Sequence, residues 1–423
     1  MKRIRWESLQ LRIKVTLTGV HPYNGLSSHY FKVRIMRLSS TTIIAITSAV
    51  VLTGCNCGRE DEIIPIEEPT PELHDVGSWL GMALMPDGAP AVSFYDRDKG
   101  GLGFAIGTIS ADGVEWDAVE VDGFPDSEGL NPGDRGTYSS LAVDSAGVAW
   151  IAFRDGGNDT LRYANRSADG ATWDVGVADA GAGSSPDAGE WTSIALDSNE
   201  YPVIAHYDVA NAALRVVHWD GSSFDAETVD EGEDGIDTEG AVVSADVGKY
   251  ANILINNGIE YIAYYDAANG ALKLATGTAG NYTIETVLDS NNFEAPGDVG
   301  AWPSIATDAS GNIMIACQDV GNEDLLLISI DDEGWLTEVV DDGMNRGADA
   351  SLVLINGSPV IYSFNGYDND LHVSTTTADG WDNSYVAGED AAVGFHIETI
   401  DSPNGLYVAS YDYTNGQIWF SVN

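Results

Sequence analysis

The chain has 423 residues, 44% of them apolar and 9% aromatic, enough for a large folded core and unlike a disordered or low-complexity polymer. It sets 19 Lys and Arg against 66 Asp and Glu, a formal net charge of −47. That balance argues against nucleic acid or an anionic membrane surface as partner, because neutralising phosphates takes clustered basic side chains.

The basic residues crowd the start. Residues 1–54 hold 8 of the 19 basic and 1 of the 66 acidic side chains, which leaves 11 positive against 65 negative in the rest. Met36-Arg37 opens a short basic start, an apolar run follows from Thr41 to Leu52, and the segment ends in Leu52-Thr53-Gly54-Cys55. The run is well short of the ~20 apolar residues that a spanning helix needs, so the segment reads as a targeting signal. Its end resembles a bacterial lipobox, a small-residue site before a lipidated cysteine. The resemblance implies that 36–54 is a signal peptide and that Cys55 carries the lipid. It also implies an outer-membrane lipoprotein that faces the periplasm or the cell surface and touches the membrane through its anchor only. Residues 1–35 precede this complete signal and are expected to be a mis-called start. Residues 55–71, acidic and proline-bearing, read as a flexible tether. Cys57 and Cys317 would pair only if the tether folded back, so no disulfide framework is expected.

From residue 72 onward one unit recurs, and internal repeats decide the fold before anything else. Each copy opens with glycine and, two residues later, an aromatic: Gly77/Trp79, Gly136/Tyr138, Gly189/Trp191, Gly248/Tyr250 and Gly300/Trp302. Weaker versions stand at Gly347/Asp349 and Gly394/His396. A second apolar segment ends at Asp96, Asp155, Asp208, Asp266, Asp319, Asn365 and Asp412, spaced 59, 53, 58, 53, 46 and 47 residues apart. Four short β-branched and aromatic segments per copy, separated by Asp, Asn and Gly, predict an antiparallel meander. Seven such copies predict an all-β, seven-bladed propeller over 72–423, with an open solenoid as the alternative. The seventh copy has three segments only, and Glu72–Gly77 resembles the end of the third. This N-terminal piece is therefore expected to complete the last blade and close the ring.

The hairpins Ser110–Trp116 and Ser167–Trp173, with shorter versions at Asp220–Phe224 and Asp379–Trp381, resemble the Asp-box (BNR motif) of sialidase-like propellers, with one residue fewer between Asp and Gly. The Asp-box is a turn motif, so the resemblance implies the fold and says little about activity. A sialidase-like site would need an arginine cluster, an activated nucleophile such as Tyr, and an acid. Arg97, Arg135, Arg154 and Arg162 all fall in copies one and two, with Tyr95 and Glu128 nearby in sequence, and form the candidate ligand-binding set. Ordinary pairing with carboxylates is the competing reading.

In four copies the loop after the second segment reads Asp-x-x-Asn-x-x-Leu, as in Asp155/Asn158/Leu161 and Asp208/Asn211/Leu214, and Asp412/Asn415 repeats it with Ile418. A carboxylate ring there resembles a cation site, but capping of local backbone amides explains it more simply. The acidic interblade loop Gly232–Glu239 offers Glu233, Asp234, Asp237 and Glu239 as candidate Ca²⁺ ligands, without EF-hand spacing. His206 and Cys317 take a position filled by Phe or Tyr in other copies, so both are expected to be packing residues. No phosphate loop, His-Glu-x-x-His or nucleophile elbow occurs.

Three functions remain open: a monomeric module that binds a glycan or protein through its interblade loops, a sialidase-like glycoside hydrolase, and an envelope scaffold. An arginine triad converging on the central channel would favour the enzyme; aromatic-lined concavities would favour binding.

Overall fold

The computed structural model describes residues 75–111, 113–125, 133–236, 240–289, 298–331 and 334–423. Among them there is no helix. Six four-stranded antiparallel sheets and one three-stranded sheet each run in chain order, from an innermost to an outermost strand. Blade 1 shows the plan: Val76–Leu84, Pro90–Asp96, Gly101–Ser110 and Gly113–Asp122 from inside to outside. The protein is a seven-bladed β-propeller.

The burial of each strand follows from its place in the blade. Second strands such as Pro90–Asp96, Ala149–Asp155 and Pro202–Asp208 are buried at every position, since both faces meet neighbouring blades. Their sequences are correspondingly near-continuous apolar runs. Outermost strands such as Gly113–Asp122 carry most of the exposed positions.

No blade has a core of its own. The apolar clusters straddle pairs of neighbouring blades: Phe104 with Phe153 between blades 1 and 2, Trp150 with Ile204 between 2 and 3, and Leu214 with Tyr264 between 3 and 4. Leu274 with Ile315, Leu325 with Ile361, and Tyr362 with Val408 continue the series. Val92 of blade 1 then meets Tyr407 of blade 7, so the last seam is filled like the others. Polar latches repeat with the same period. The first amide of an innermost strand donates to a loop carbonyl of the preceding blade: Arg135 N–H to Gly100 O at 3.1 Å, Val247 to Ala212 at 3.0 Å, and, across the closing seam, Val76 to Gly416 at 3.1 Å. A second-strand tyrosine hydroxyl donates to the aspartate just before the next blade, as Tyr207 does to Asp246 at 2.7 Å and Tyr411 to Asp75.

Blade 7 shows three strands among the described residues, Val393–Ser402, Gly405–Asp412 and Gln417–Val422. The fourth strand expected from residues 72–77 falls largely on 72–74, outside the described residues, while Val76 and Gly77 begin blade 1.

The aspartates that end the second strands cap their own loops: Asp155 accepts the Asn158 amide at 3.1 Å and its side-chain nitrogen at 2.9 Å, and Asp208, Asp319 and Asp412 do the same for Asn211, Asn322 and Asn415. In the Asp-box-like hairpin of blade 2, Asp169 accepts from Ser167 Oγ at 2.7 Å and Ala171 N–H at 3.0 Å, and Trp173 packs edge-on against Phe104 at 5.1 Å. Cys317 is fully buried, and burial pushes its thiol pKa up, the signature of an inert core sulfur. His206 is fully buried too, its Nε2 3.2 Å from Asp179.

Because all seams are packed alike, Tyr407→Ala at the closing seam is expected to cost as much stability as Phe153→Ala between blades 1 and 2, about 4 kcal/mol each in urea unfolding. A loss below about 1 kcal/mol for Tyr407→Ala alone would show that the closing seam does not share the load.

Candidate functional site in the central channel

The channel is shaped by a bulge that recurs in all seven innermost strands. Each begins with a glycine at positive φ and places a non-glycine residue in the left-handed region two positions later: Trp79 (φ 51°), Tyr138 (54°), Trp191 (47°), Tyr250 (56°), Trp302 (49°), Asp349 (46°) and His396 (52°). Strand pairing shifts register at these points, as between Val76 and Gly81. Each such residue costs about 1–2 kcal/mol in backbone energy, which the surrounding seams hold in place. The glycine is obligatory. At Gly136, with φ +120°, a Cβ would lie 2.8 Å from the Leu102 Cα of the blade before. The bulge therefore brings one side chain per blade to the axis.

These seven side chains line a cavity of about 390 Å³. Six of them are rings in an unbroken chain of contacts: His396–Trp79 at 4.5 Å, Trp79–Tyr138 at 4.0 Å, Tyr138–Trp191 at 5.6 Å, Trp191–Tyr250 at 4.9 Å and Tyr250–Trp302 at 4.7 Å. The seventh position, between Trp302 and His396, is Asp349. The aromatic belt is thus open at one place, and a carboxyl stands in the gap.

A second departure from the repeat lies two residues further down the strand. There Ser140, Ser193, Asn252 and Ser304 each accept an amide of the next blade: Ile194 at 3.0 Å, Ile253 at 3.0 Å, Ile305 at 2.9 Å and Leu352 at 3.0 Å. Ser351 continues the series through the Thr399 hydroxyl at 2.9 Å. Blade 7 puts Glu398 at this position, and it lines the cavity. Asp349, His396 and Glu398 therefore gather the polar chemistry of the channel on blades 6 and 7.

Their environment sets their charge. Glu398 is half-buried in the channel lining, and desolvation there pushes its carboxyl up to about 8. Burial raises Asp349 to about 6, with the His396 backbone N–H pulling the other way. Burial lowers His396 to about 4, helped by the positive charge of Arg97, so its imidazole is neutral at pH 7. Of the two acids, Glu398 is thus held the more strongly in its protonated form.

No protein-family model matches this sequence, and no curated protein does. Solved structures with a similar fold do exist. The polysaccharide lyase Uly1 aligns with a TM-score of 0.50 at 9% identity, over 79% of this chain and 86% of its own. The Hadza microbial sialidase Hz136 aligns with a TM-score of 0.46 at 14% identity, over 73% and 65%. A Trypanosoma rangeli sialidase aligns with a TM-score of 0.44 at 14% identity; the match takes in 70% of this chain and 56% of that sialidase. At these identities the likeness is one of fold alone.

The arginines singled out from the sequence sit away from the channel lining. Arg135 and Arg162 come together at the seam of blades 1 and 2, sharing Asp122 (3.1 and 3.3 Å) and Asp155 (2.8 and 3.8 Å). Arg162 has counterparts at the next two seams: Arg215 binds Asp179 at 2.8 Å and Lys273 binds Asp230 at 2.7 Å, each from a third strand to the end of the preceding blade's outermost strand. Arg154 binds Asp187 at 2.6 Å and Asp159 at 3.0 Å; Arg97 lies 3.6 Å from Asp75, at the closing seam. Tyr95 donates to Asp134. Of the acidic loop, Asp234 accepts the Ala245 amide at 3.0 Å and the Glu233 carbonyl accepts from Asn269 at 3.2 Å. Asp237 and Glu239 lie outside the described residues, as do Glu128, Cys55 and Cys57. The channel residues were visible in the sequence as the two imperfect copies of the opening motif, Gly347-Ala348-Asp349 and Gly394-Phe395-His396, whose deviation was the signal.

Holding Glu398 in the channel has a pH-dependent cost. Its folded pKa is raised from 4.5 to about 8, so the folded state binds the proton more tightly. The contribution of this group to stability is therefore greatest below about pH 4.5, declines up to about pH 8 and is flat above. Glu398→Gln removes the cost, and after discounting for channel water the variant is expected to gain on the order of 2 kcal/mol over the parent at pH 9 and nothing at pH 4. Urea unfolding at the two pH values checks this; equal gains at both would contradict it.

Proposed function

We propose that the protein is an envelope-anchored glycan-binding propeller whose ligand enters the central channel. The aromatic belt carries the reading: three tryptophans, two tyrosines and a histidine face one cavity of about 390 Å³, a volume suited to one or two sugar units. Aromatic faces pack against the apolar faces of pyranose rings, and Asp349, His396 and Glu398 supply polar partners for hydroxyls from one side of the channel. Among the described residues no arginine lines the cavity, unlike the arginine-based site that a sialidase-like hydrolase needs. Binding, without turnover, is the function we assign. The anchor in this proposal is the lipid on Cys55, with residues 55–71 as the tether, and the interblade loop with Glu233, Asp234, Asp237 and Glu239 is where Ca²⁺ would act if binding requires it.

A glycan array run with and without EDTA is expected to give hits, and a hit lost in EDTA assigns the loop a role. Binding of the hit should quench tryptophan fluorescence, and Trp191→Ala should weaken it about tenfold, equivalent to ~1.4 kcal/mol of ring contact. An array blank in both conditions would sink the proposal. Cys55→Ser should move the protein from the membrane fraction to the soluble fraction of cells; unchanged membrane retention would remove the lipid anchor from the proposal.

A further inference from the structure

The channel differs from the rest of the molecule in how its acids are treated. Elsewhere buried carboxylates are matched with cations, as Asp155 with Arg135 at 2.8 Å, Asp179 with Arg215 at 2.8 Å and Asp230 with Lys273 at 2.7 Å, or, as Asp319 and Asp412, accept hydrogen bonds from the amides and asparagines of their own loops. Asp349 and Glu398 have no ion pair among the described residues, and neither lysine nor arginine lines the cavity. Basic side chains outside the lining are committed to other acids: Lys249 to Asp246, Arg154 to Asp187 and Arg97 to Asp75. Two unmatched carboxyls thus share one cavity with five tryptophan and tyrosine rings, whose faces carry negative charge density.

Resting on the glycan reading above, we propose that the channel takes a sugar unit bearing a protonated amine, of the glucosamine type, with Asp349 and Glu398 as its counter-charges. The chemistry converges on that group. A positive nitrogen is attracted by the faces of Trp and Tyr, most strongly where water is scarce. An ammonium donates to carboxylates and needs no acceptor in return, and these side chains offer acceptors. The −47 net charge of the chain raises the local concentration of any cationic oligosaccharide at the mouth. Anionic sugars face the opposite situation, with two acids in the cavity lining and neither lysine nor arginine among its described residues. Among the described residues no three His, Cys, Asp or Glu side chains come together as metal ligands, so the pair of acids is better suited to an organic cation than to a metal. Arrival of the ammonium would also favour ionisation of Glu398 and release its proton.

Calorimetric titration of the full-length protein with three tetrasaccharides tests this: one of glucosamine, one of N-acetylglucosamine and one of galacturonic acid. Titrations in about 0.5 M salt screen non-specific attraction to the acidic surface. The glucosamine tetramer is expected to bind at least tenfold more tightly than its acetylated counterpart, and the uronate not at all. In Glu398→Gln and Asp349→Asn, each nearly isosteric, the tenfold preference should fall below threefold, with circular dichroism confirming the fold. Equal affinity for amine and acetamide, or preference for the uronate, would overturn the amine inference and leave the glycan reading standing. A preference for the amine that persists unchanged in both variants would overturn the role given to these two acids. Failure of all three to bind, together with a blank array, would overturn the glycan reading and this inference with it.

Discussion

Everything in this molecule depends on the seam between neighbouring blades. A four-stranded sheet of this size cannot bury both faces by itself, so each second strand is sealed only when blades stand on either side of it. The apolar clusters all straddle two blades, and the one joining blade 7 to blade 1 turns a stack into a ring. A closed ring has no open end at which to unfold piecemeal, and it fixes the innermost strands around one axis.

That fixed axis is what supports the strained bulges. A tryptophan or tyrosine with φ near +50° would be an outlier in an isolated hairpin. Here the same conformation occurs in every blade, held by an interblade latch on one side and a packed seam on the other. Since all seven blades share it, the strain belongs to the architecture and does not by itself mark a site. What marks the site is the choice of side chain at the position the bulge creates.

The candidate site lies where the symmetry is broken. Blades 1 to 5 supply rings at the axis, and blades 6 and 7 supply Asp349 and His396. At the next inward position polar residues in blades 2 to 6 latch onto the following blade, and blade 7 has Glu398. Asp349, His396 and Glu398 each put a polar group into the cavity lining, while blade 1 has Gly81 at the latch position. By the same criterion Arg162 looks architectural, because Arg215 and Lys273 make equivalent bridges at the next two seams.

The sequence by itself determined the repeat, the blade number and the strand pattern, because glycines, turn aspartates and apolar segments act locally and recur at a readable spacing. It also determined the roles of the second-strand aspartates, His206 and Cys317, since a residue found at one position in many copies is read by comparison within the chain. It did not single out the channel residues. Loops looked more promising than strands because they are irregular, and the arginines of blades 1 and 2 looked like a cluster because they are close in sequence. Only the closed ring brings Trp79 beside His396, more than 300 positions apart, and only it shows Arg135 and Arg162 spent on Asp122 and Asp155. Local rules set where each strand begins and turns; which side chains share the axis is decided by the closure of the whole.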